Sequence, residues 1–301
     1  MLAGILAGLA AGALWGLVFV APRMLEMGAG GYSSIDLTAG RFAVYGVTAA
    51  GVMLVGLRSR RLPTLRQAWA ALLMSVLGFS GYYLLLVLAI RDAGSEVPSL
   101  VIGTIPIWVM LLGKPQGLRW AALLPGLALT LAGLVLMMGS THEGAGQGAA
   151  AHFWRGMLFV AGSLVCWTVF AIVNSAWLKR HPEVNATDWA NWLGVATGLG
   201  ALLMWLAAGS DAGLLAARPD RWTFVLLCVV AGVGSTWLAT ILWNMASQRL
   251  SASLCGQLIV SETIFALLYS FAWDGRWPTL VQLTACVLFT LGILASIRAH
   301  R

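Results

Sequence analysis

Charged side chains are scarce in this chain of 301 residues. They make up 10% of the sequence, whereas an ordinary soluble domain carries about 25%. Apolar residues make up 60%, and the net charge of +7 comes from basic residues at the ends of long apolar runs. No compact basic patch is present, so the charge does not indicate a nucleic-acid partner. The pattern is that of an integral membrane protein.

The sequence also lacks the clusters that hold metals or carry out catalysis. Its four cysteines lie inside apolar runs without Cys-x-x-Cys or Cys/His spacing, and its four histidines fall in loops or in the tail. No group of carboxylates accompanies the histidines, although membrane enzymes usually need such a group for metal binding or acid–base work. We therefore predict no cofactor, no metal site and no catalytic residues.

Long apolar runs predict an all-α integral membrane fold. A helix needs about 20 apolar residues to cross the hydrocarbon, and charges, prolines and Gly/Ser clusters divide the chain into ten such runs. The predicted spans are 2–22, 37–57, 67–90, 97–113, 119–138, 156–177, 186–208, 222–247, 252–272 and 277–297. Lys and Arg are in excess on the connections that share a side with both termini, which predicts cytoplasmic termini and an inner (plasma) membrane location.

The two halves of the sequence repeat each other. A shift of 152 residues places Gly4 on Gly156 and Trp15 on Trp167. Because five is an odd number of spans, the second half must enter the membrane in the opposite sense, so we predict ten transmembrane helices as two inverted five-helix repeats. The predicted boundaries are 1–138 for the first repeat, 139–155 for an extracytoplasmic linker and 156–301 for the second repeat.

Several positions resemble the EamA module of the drug/metabolite transporter superfamily. They are Gly4, Leu6, Trp15, Gly16, Arg41, Phe42, Gly78, Tyr82, Tyr83, Ala89, Ser95, Pro106, Trp243, Asn244, Ser251, Ala252 and Ser253. The resemblance covers nearly the whole chain and implies a ten-helix secondary transporter, in a family with members that export amino acids and other metabolites. The chain departs from the family pattern where many members carry a Gly-Glu pair or a proline in the ninth span. Those places read Gly113-Lys114, Asp274-Gly275 and Ser261-Glu262-Thr263.

The predicted function is the export of small metabolites, with amino acids or similar amphiphilic solutes as the favoured class. Inverted repeats typically hold the substrate near the midplane between the halves and give alternating access through a central cavity. The alternatives are an integral membrane enzyme that acts on a lipid or prenyl substrate, and a membrane scaffold or receptor. We predict a monomer, since both modules lie in one chain, whose partners are a small-molecule substrate, the lipid bilayer and, as an open question, protons.

The predicted substrate-binding residues combine aromatic, polar and charged side chains within spans. They are Trp15, Tyr82, Tyr83, Pro106, Trp167, Trp237, Asn244 and Glu262. An ionisable group inside a span is costly and is therefore a functional candidate. Glu262 either binds a substrate ammonium or a coupling proton, or is a structural glutamate that holds helices together, and the sequence favours neither reading.

The other candidates carry alternatives too. Core packing is the favoured role for any single aromatic residue, except for the repeat-related pair Trp15 and Trp167. Pro106 either shapes a gate or bends its helix for packing. Arg41 is expected to reach the membrane surface or to pair with Asp36, in preference to a role in the site. Three neutral polar residues, Asn174, Asn244 and Gln257, bond either across helices or to a substrate.

Overall fold

The chain is helical throughout most of its described length. The computed structural model describes residues 1–19, 31–56, 62–93, 96–140, 150–275 and 277–300. The helices are α1 (Leu2–Gly16), α2 (Ser34–Val55), α3 (Leu65–Ser75), α4 (Gly81–Ala93), α5 (Glu96–Gly103), α6 (Ile105–Leu112), α7 (Trp120–Ser140), α8 (Ala150–Arg180), α9 (Ala186–Ala208), α10 (Ala212–Ala217), α11 (Arg221–Val230), α12 (Ala239–Arg249), α13 (Ala252–Asp274) and α14 (Leu280–Ala299).

Within the described ranges, eight helical segments are long and apolar enough to cross a membrane. Two of them are composite: π-helical turns at 76–80 and 231–238 join α3 to α4 and α11 to α12. Two further apolar helices, Leu2–Gly16 and Val101–Leu112, are shorter. The all-helical part of the predicted fold class is therefore confirmed for the described residues.

Several predicted boundaries differ from the structure. The first helix ends at Gly16 and continues as a 3-10 turn to Phe19, and the rest of the predicted first span lies outside the described residues. Both ends of the predicted linker are helical, because α7 reaches Ser140 and α8 begins at Ala150. Its middle, 141–149, lies outside the described residues, as does Ser95.

Side-chain caps explain where several helices begin. Ser33 and Asp36 form a capping box at the start of α2, and Thr279 and Gln282 form another at the start of α14. In each box the two side chains satisfy backbone N–H groups that the first helical turn leaves unpaired. Ser251 caps α13 by accepting a hydrogen bond from the Leu254 backbone. The tight corner before α13 therefore ends α12 and starts the next span.

A stripe of glycines brings α1 against α12 and α13. A Cβ atom at Gly4 would meet Leu250, one at Gly8 would meet Leu258, and one at Gly12 would lie 2.2 Å from the Ser261 Oγ atom. Small residues at a spacing of four let helix backbones approach closely in a membrane. The stripe thus fixes α1 beside the part of α13 that carries Glu262.

Each half contributes one member of two long helix pairs. Helix α2 crosses α9 where a Cβ at Gly46 would lie 2.7 Å from the Cα of Gly198. The Tyr45 hydroxyl donates a 2.6 Å hydrogen bond to the Ala190 carbonyl at the same crossing. Helix α7 packs along α14 as the second pair. Further contacts place α4 on α8, α1 on α12 and α13, and α6 on α8 and α13.

Neutral hydrogen bonds join the helices at several depths. Gln257 on α13 is fully buried, and its Nε2 donates to the Thr130 Oγ1 of α7 over 2.9 Å. Its Oε1 accepts from the Ser296 hydroxyl of α14 over 3.1 Å. Between α3 and α9, the Ser75 and Thr197 hydroxyls lie 2.8 Å apart. Gln257 therefore takes the cross-helix role that the sequence left open.

Candidate functional site

Three tryptophans meet where α1, α8 and α12 come together. The ring centroids of Trp15 and Trp167 lie 6.3 Å apart in an edge-to-face arrangement. Trp243 completes the triangle, at 5.3 Å from Trp15 and 6.0 Å from Trp167. Such ring contacts stabilise beyond the burial of their area. The structure thus brings together the pair suggested by the repeat and adds a third ring, which sequence reasoning left in the family motif without a role.

Further aromatic rings continue from this triangle towards α2 and α4. Phe170 lies 6.1 Å from Trp167, and Phe79 lies 5.6 Å from Phe170. Phe42 is 5.9 Å from Phe79 and 5.2 Å from Tyr83, whose ring in turn lies 4.8 Å from that of Tyr82. Tyr82 is buried, whereas Tyr83, Trp15 and Trp167 remain partly exposed. Trp15 and Trp167 therefore belong to one continuous network with Tyr82 and Tyr83.

The expectation for Arg41 was wrong. Its side chain is 5% exposed and does not reach the membrane surface. The expected partner Asp36 is occupied, since it accepts hydrogen bonds from Ser33 and from the backbone and hydroxyl of Ser210. The Arg41 Cζ atom instead lies 4.6 Å from the Tyr83 ring centroid and 4.7 Å from that of Phe42. Arg41 therefore joins the aromatic network as its buried cation.

Glu262 lies near the middle of α13 and is partly exposed. Its backbone N–H is close to Gly12, where a Cβ would approach the nitrogen to 3.2 Å. Arg41 and Tyr82 are both close enough to interact electrostatically with the Glu262 carboxylate. No ion pair joins Arg41 to Glu262 among the described residues. A cation and a carboxylate from different halves thus interact electrostatically without forming an ion pair.

Trp237 projects from the π-helical turn at 231–238. Its Nε1 donates a 2.8 Å hydrogen bond to the Asn191 Oδ1 of α9. The ring is partly exposed and packs against the cluster that contains Phe42 and Phe170. π-turns are frequent at functional sites because they interrupt the regular helix ladder. Trp237 therefore borders the aromatic network from the second half.

Asn244 is joined to a neighbouring helix by a hydrogen bond. It is fully buried, and its Oδ1 accepts a 3.1 Å hydrogen bond from Asn174. The Asn174 Oδ1 accepts from Trp189 Nε1 over 2.6 Å. The Asn244 Nδ2 has no hydrogen-bond partner within the part of the chain that the structure describes. The contacts therefore assign Asn244 a cross-helix bond and leave one donor for another role.

Pro106 stands just after a break in its span. Helix α5 ends at Gly103 and α6 begins at Ile105, with Pro106 buried in its first turn. Proline suits the first turn because its missing N–H would have no intrahelical acceptor there. The Thr104 hydroxyl donates to the Val101 carbonyl over 2.6 Å and so satisfies an acceptor at the break. The predicted interruption is therefore present, two residues before the proline.

A separate surface pocket of about 610 Å³ lies at the end of α9 and holds none of the predicted site residues. It is lined by Gly31, Ser210, Leu214, Leu215, Ala217, Arg218 and Pro219. Beside it, Tyr32 donates a 3.2 Å hydrogen bond to Asp220, and burial, together with the charge of Asp220, raises the pKa of Tyr32.

The arrangement of the chain is shared with known proteins. Residues 2–139 and 154–298 match the EamA-like transporter family. The chain belongs to this family. The inner membrane protein YtfF of Escherichia coli is 30% identical over 99% of this chain and 96% of its own length. The uncharacterized transporter YdfC of Bacillus subtilis is 23% identical over 79% of this chain and 74% of its own length.

A solved crystal structure has the same fold. Its TM-score with this EamA-family chain is 0.77 at 22% identity, and the match covers 99% of this chain and 97% of that chain. Together with the relatives, the helices identify a multi-pass membrane protein of a transporter family.

Proposed function

We propose that the chain is a secondary transporter that exports small metabolites, with amino acids or similar amphiphilic solutes as the favoured class. Family membership supports transport, and one feature of the site supports a substrate-binding position between the halves. Partly exposed aromatic and charged side chains from both halves converge inside the helix bundle: Trp15, Tyr83, Trp167, Trp237 and Glu262. In the proposal they line the substrate path, with buried Tyr82, Pro106 and Asn244 behind them.

The proposed mechanism is alternating access between two inverted repeats of five spans, with both termini cytoplasmic. The packing pattern supports this proposal, because α1 contacts α12 and α13 while α8 contacts α4 and α6. The two π-turns also fall in segments that correspond under the repeat. Labelling of single cysteines placed at the two chain ends tests the topology. Equal accessibility from one side of the membrane is expected, and opposite accessibility would exclude the five-plus-five arrangement.

Flux in proteoliposomes tests transport itself. We expect purified protein to move at least one solute of an amino acid and metabolite panel faster than empty vesicles do. Absence of flux for every solute would contradict the proposal. The same vesicles test the alternative enzymatic function, because product formed from added lipid or prenyl substrates would support it instead.

Glu262 is the proposed coupling or ammonium-binding group. We expect Glu262→Gln to change the pH dependence of flux, since the neutral amide neither releases a proton nor pairs with an ammonium group. Glu183→Gln is the matched control, because Glu183 is exposed in the loop between α8 and α9. Identical pH profiles in the Glu262 variant and the wild type would remove Glu262 from this role.

A further inference from the structure

Arg41 is a buried cation without a role in the proposed transport mechanism. It lies seven residues after the start of α2, or about 10 Å along the helix at 1.5 Å per residue. Its Nε atom is buried and has no hydrogen-bond partner among the described residues. A buried N–H donor without a hydrogen-bond partner is costly. The side chain therefore has unused capacity to bind an anion.

The backbone around Arg41 is held firmly. A Cβ at Gly40 would lie 2.6 Å from the Cys228 Sγ, and one at Gly232 would lie 2.7 Å from the Arg41 carbonyl oxygen. These close approaches fix α2 against α11 and the second π-turn. The rings of Phe42 and Tyr83 then hold the guanidinium by cation–π contact. A donor fork fixed in this way is preorganised for a planar carboxylate.

We propose that Arg41 binds the carboxylate of the passenger, so that the site selects solutes with a free carboxylate and an apolar body. The inference rests on the proposed transport function and narrows its substrate class. In the proposal the ammonium group of a zwitterion faces Glu262, which interacts electrostatically with Arg41 and forms no ion pair with it. The tryptophan triangle supplies the apolar surface for the side chain. Apolar and aromatic α-amino acids have this combination of groups.

Binding of matched ligands to detergent-purified protein tests the inference. The probes are L-leucine, L-phenylalanine and L-tryptophan, each compared with its carboxamide, which keeps the ammonium group and loses the negative charge. Thermal-shift titrations give the apparent affinity, since a ligand that prefers the folded state raises its stability. We expect wild type to bind at least one acid roughly tenfold or more tightly than its amide, as for hydrogen bonds to charged groups.

Arg41→Gln should bind the acid and its amide within about twofold of each other, and Arg41→Lys should keep part of the preference. Arg91→Gln is the matched control, because the Arg91 side chain is 63% exposed at the end of α4. It should keep the wild-type ratio. Amide binding by Arg41→Gln shows that this variant is folded, and the wild-type preference is measured independently of any variant.

Two results would overturn the inference: equal affinity of wild type for every acid and its amide, or an unchanged preference in Arg41→Gln. Flux separates this failure from that of the proposed function. Transport without a preference for carboxylates would support the proposed transport function and contradict the proposed role of Arg41. An Arg41-dependent preference without flux for any panel solute would leave the binding site and contradict transport.

Discussion

Gln257 and Glu262 lie five residues apart on α13 and have opposite surroundings. The Gln257 amide is fully buried and bonded to α7 and α14 through Thr130 and Ser296. Glu262 is partly exposed and has no ion pair among the described residues. Five residues turn a helix by about 140°, so one helix presents a hydrogen-bonded amide on one face and a partly exposed carboxylate on another. The difference separates a group that holds helices together from one that is available to a ligand.

The largest effect is expected where α1 supports α13 between these two positions. Gly12→Leu should strongly lower the yield of folded protein, because even the first side-chain atom would collide with Ser261 at 2.2 Å, and overpacking of this kind costs up to about 3 kcal/mol and occasionally more. The measurement is the yield of monodisperse protein in detergent. Gly51→Leu on α2 is the control, since nothing lies within 4 Å of a Cβ there. A normal yield for Gly12→Leu would show that the seam between α1 and α13 is loose.

A smaller effect is expected at Gln257, whose amide is hydrogen-bonded to two other helices. Gln257→Leu should lower the free energy of unfolding by about 1–2 kcal/mol, because it removes two interhelical hydrogen bonds. Flux per folded molecule should stay at the wild-type level. Denaturation in mixed micelles gives the stability, with Glu262→Gln as the comparison variant. Equal destabilisation by Glu262→Gln and Gln257→Leu would show that Glu262 also holds helices together.

The smallest effect is expected when only the hydrogen bond between Gln257 and Thr130 is removed. Thr130→Val should lower stability by about 0.6 kcal/mol, since it removes one hydrogen bond and keeps the shape of the side chain. Combined with Gln257→Leu, it should add almost nothing, because the two variants remove the same bond. Full additivity in the denaturation assay would indicate that Thr130 acts independently of Gln257.

Much of the fold was accessible from the sequence because lipid imposes strong rules on it. Apolar runs must form helices long enough to satisfy their own backbone, and the observed α9 has the predicted bounds, 186–208. Helix ends depend instead on caps. Thr279 starts α14 three residues later than the prediction, because its side chain pairs with the backbone of Gln282.

The site was predicted less completely, because apolar runs in lipid do not define helix rotation. Trp15 and Trp167 were found together through the repeat, whereas Arg41 was assigned to the surface from its distance to the helix start alone. Its rotation towards Tyr83 is set by the close packing of Gly40 and Gly232. The sequence does not show which glycines make such close contacts, because that depends on the neighbouring helix.

The crossing of α2 and α9 restricts how the two halves can move. These helices touch backbone to backbone at Gly46 and Gly198, and they are tied at Tyr45 and again where Asp36 holds Ser210. Contacts at several positions along the helices make the pair a single rigid unit, with one helix from each half. In the proposed alternating access, the other helices must therefore move relative to this pair, which moves as one body.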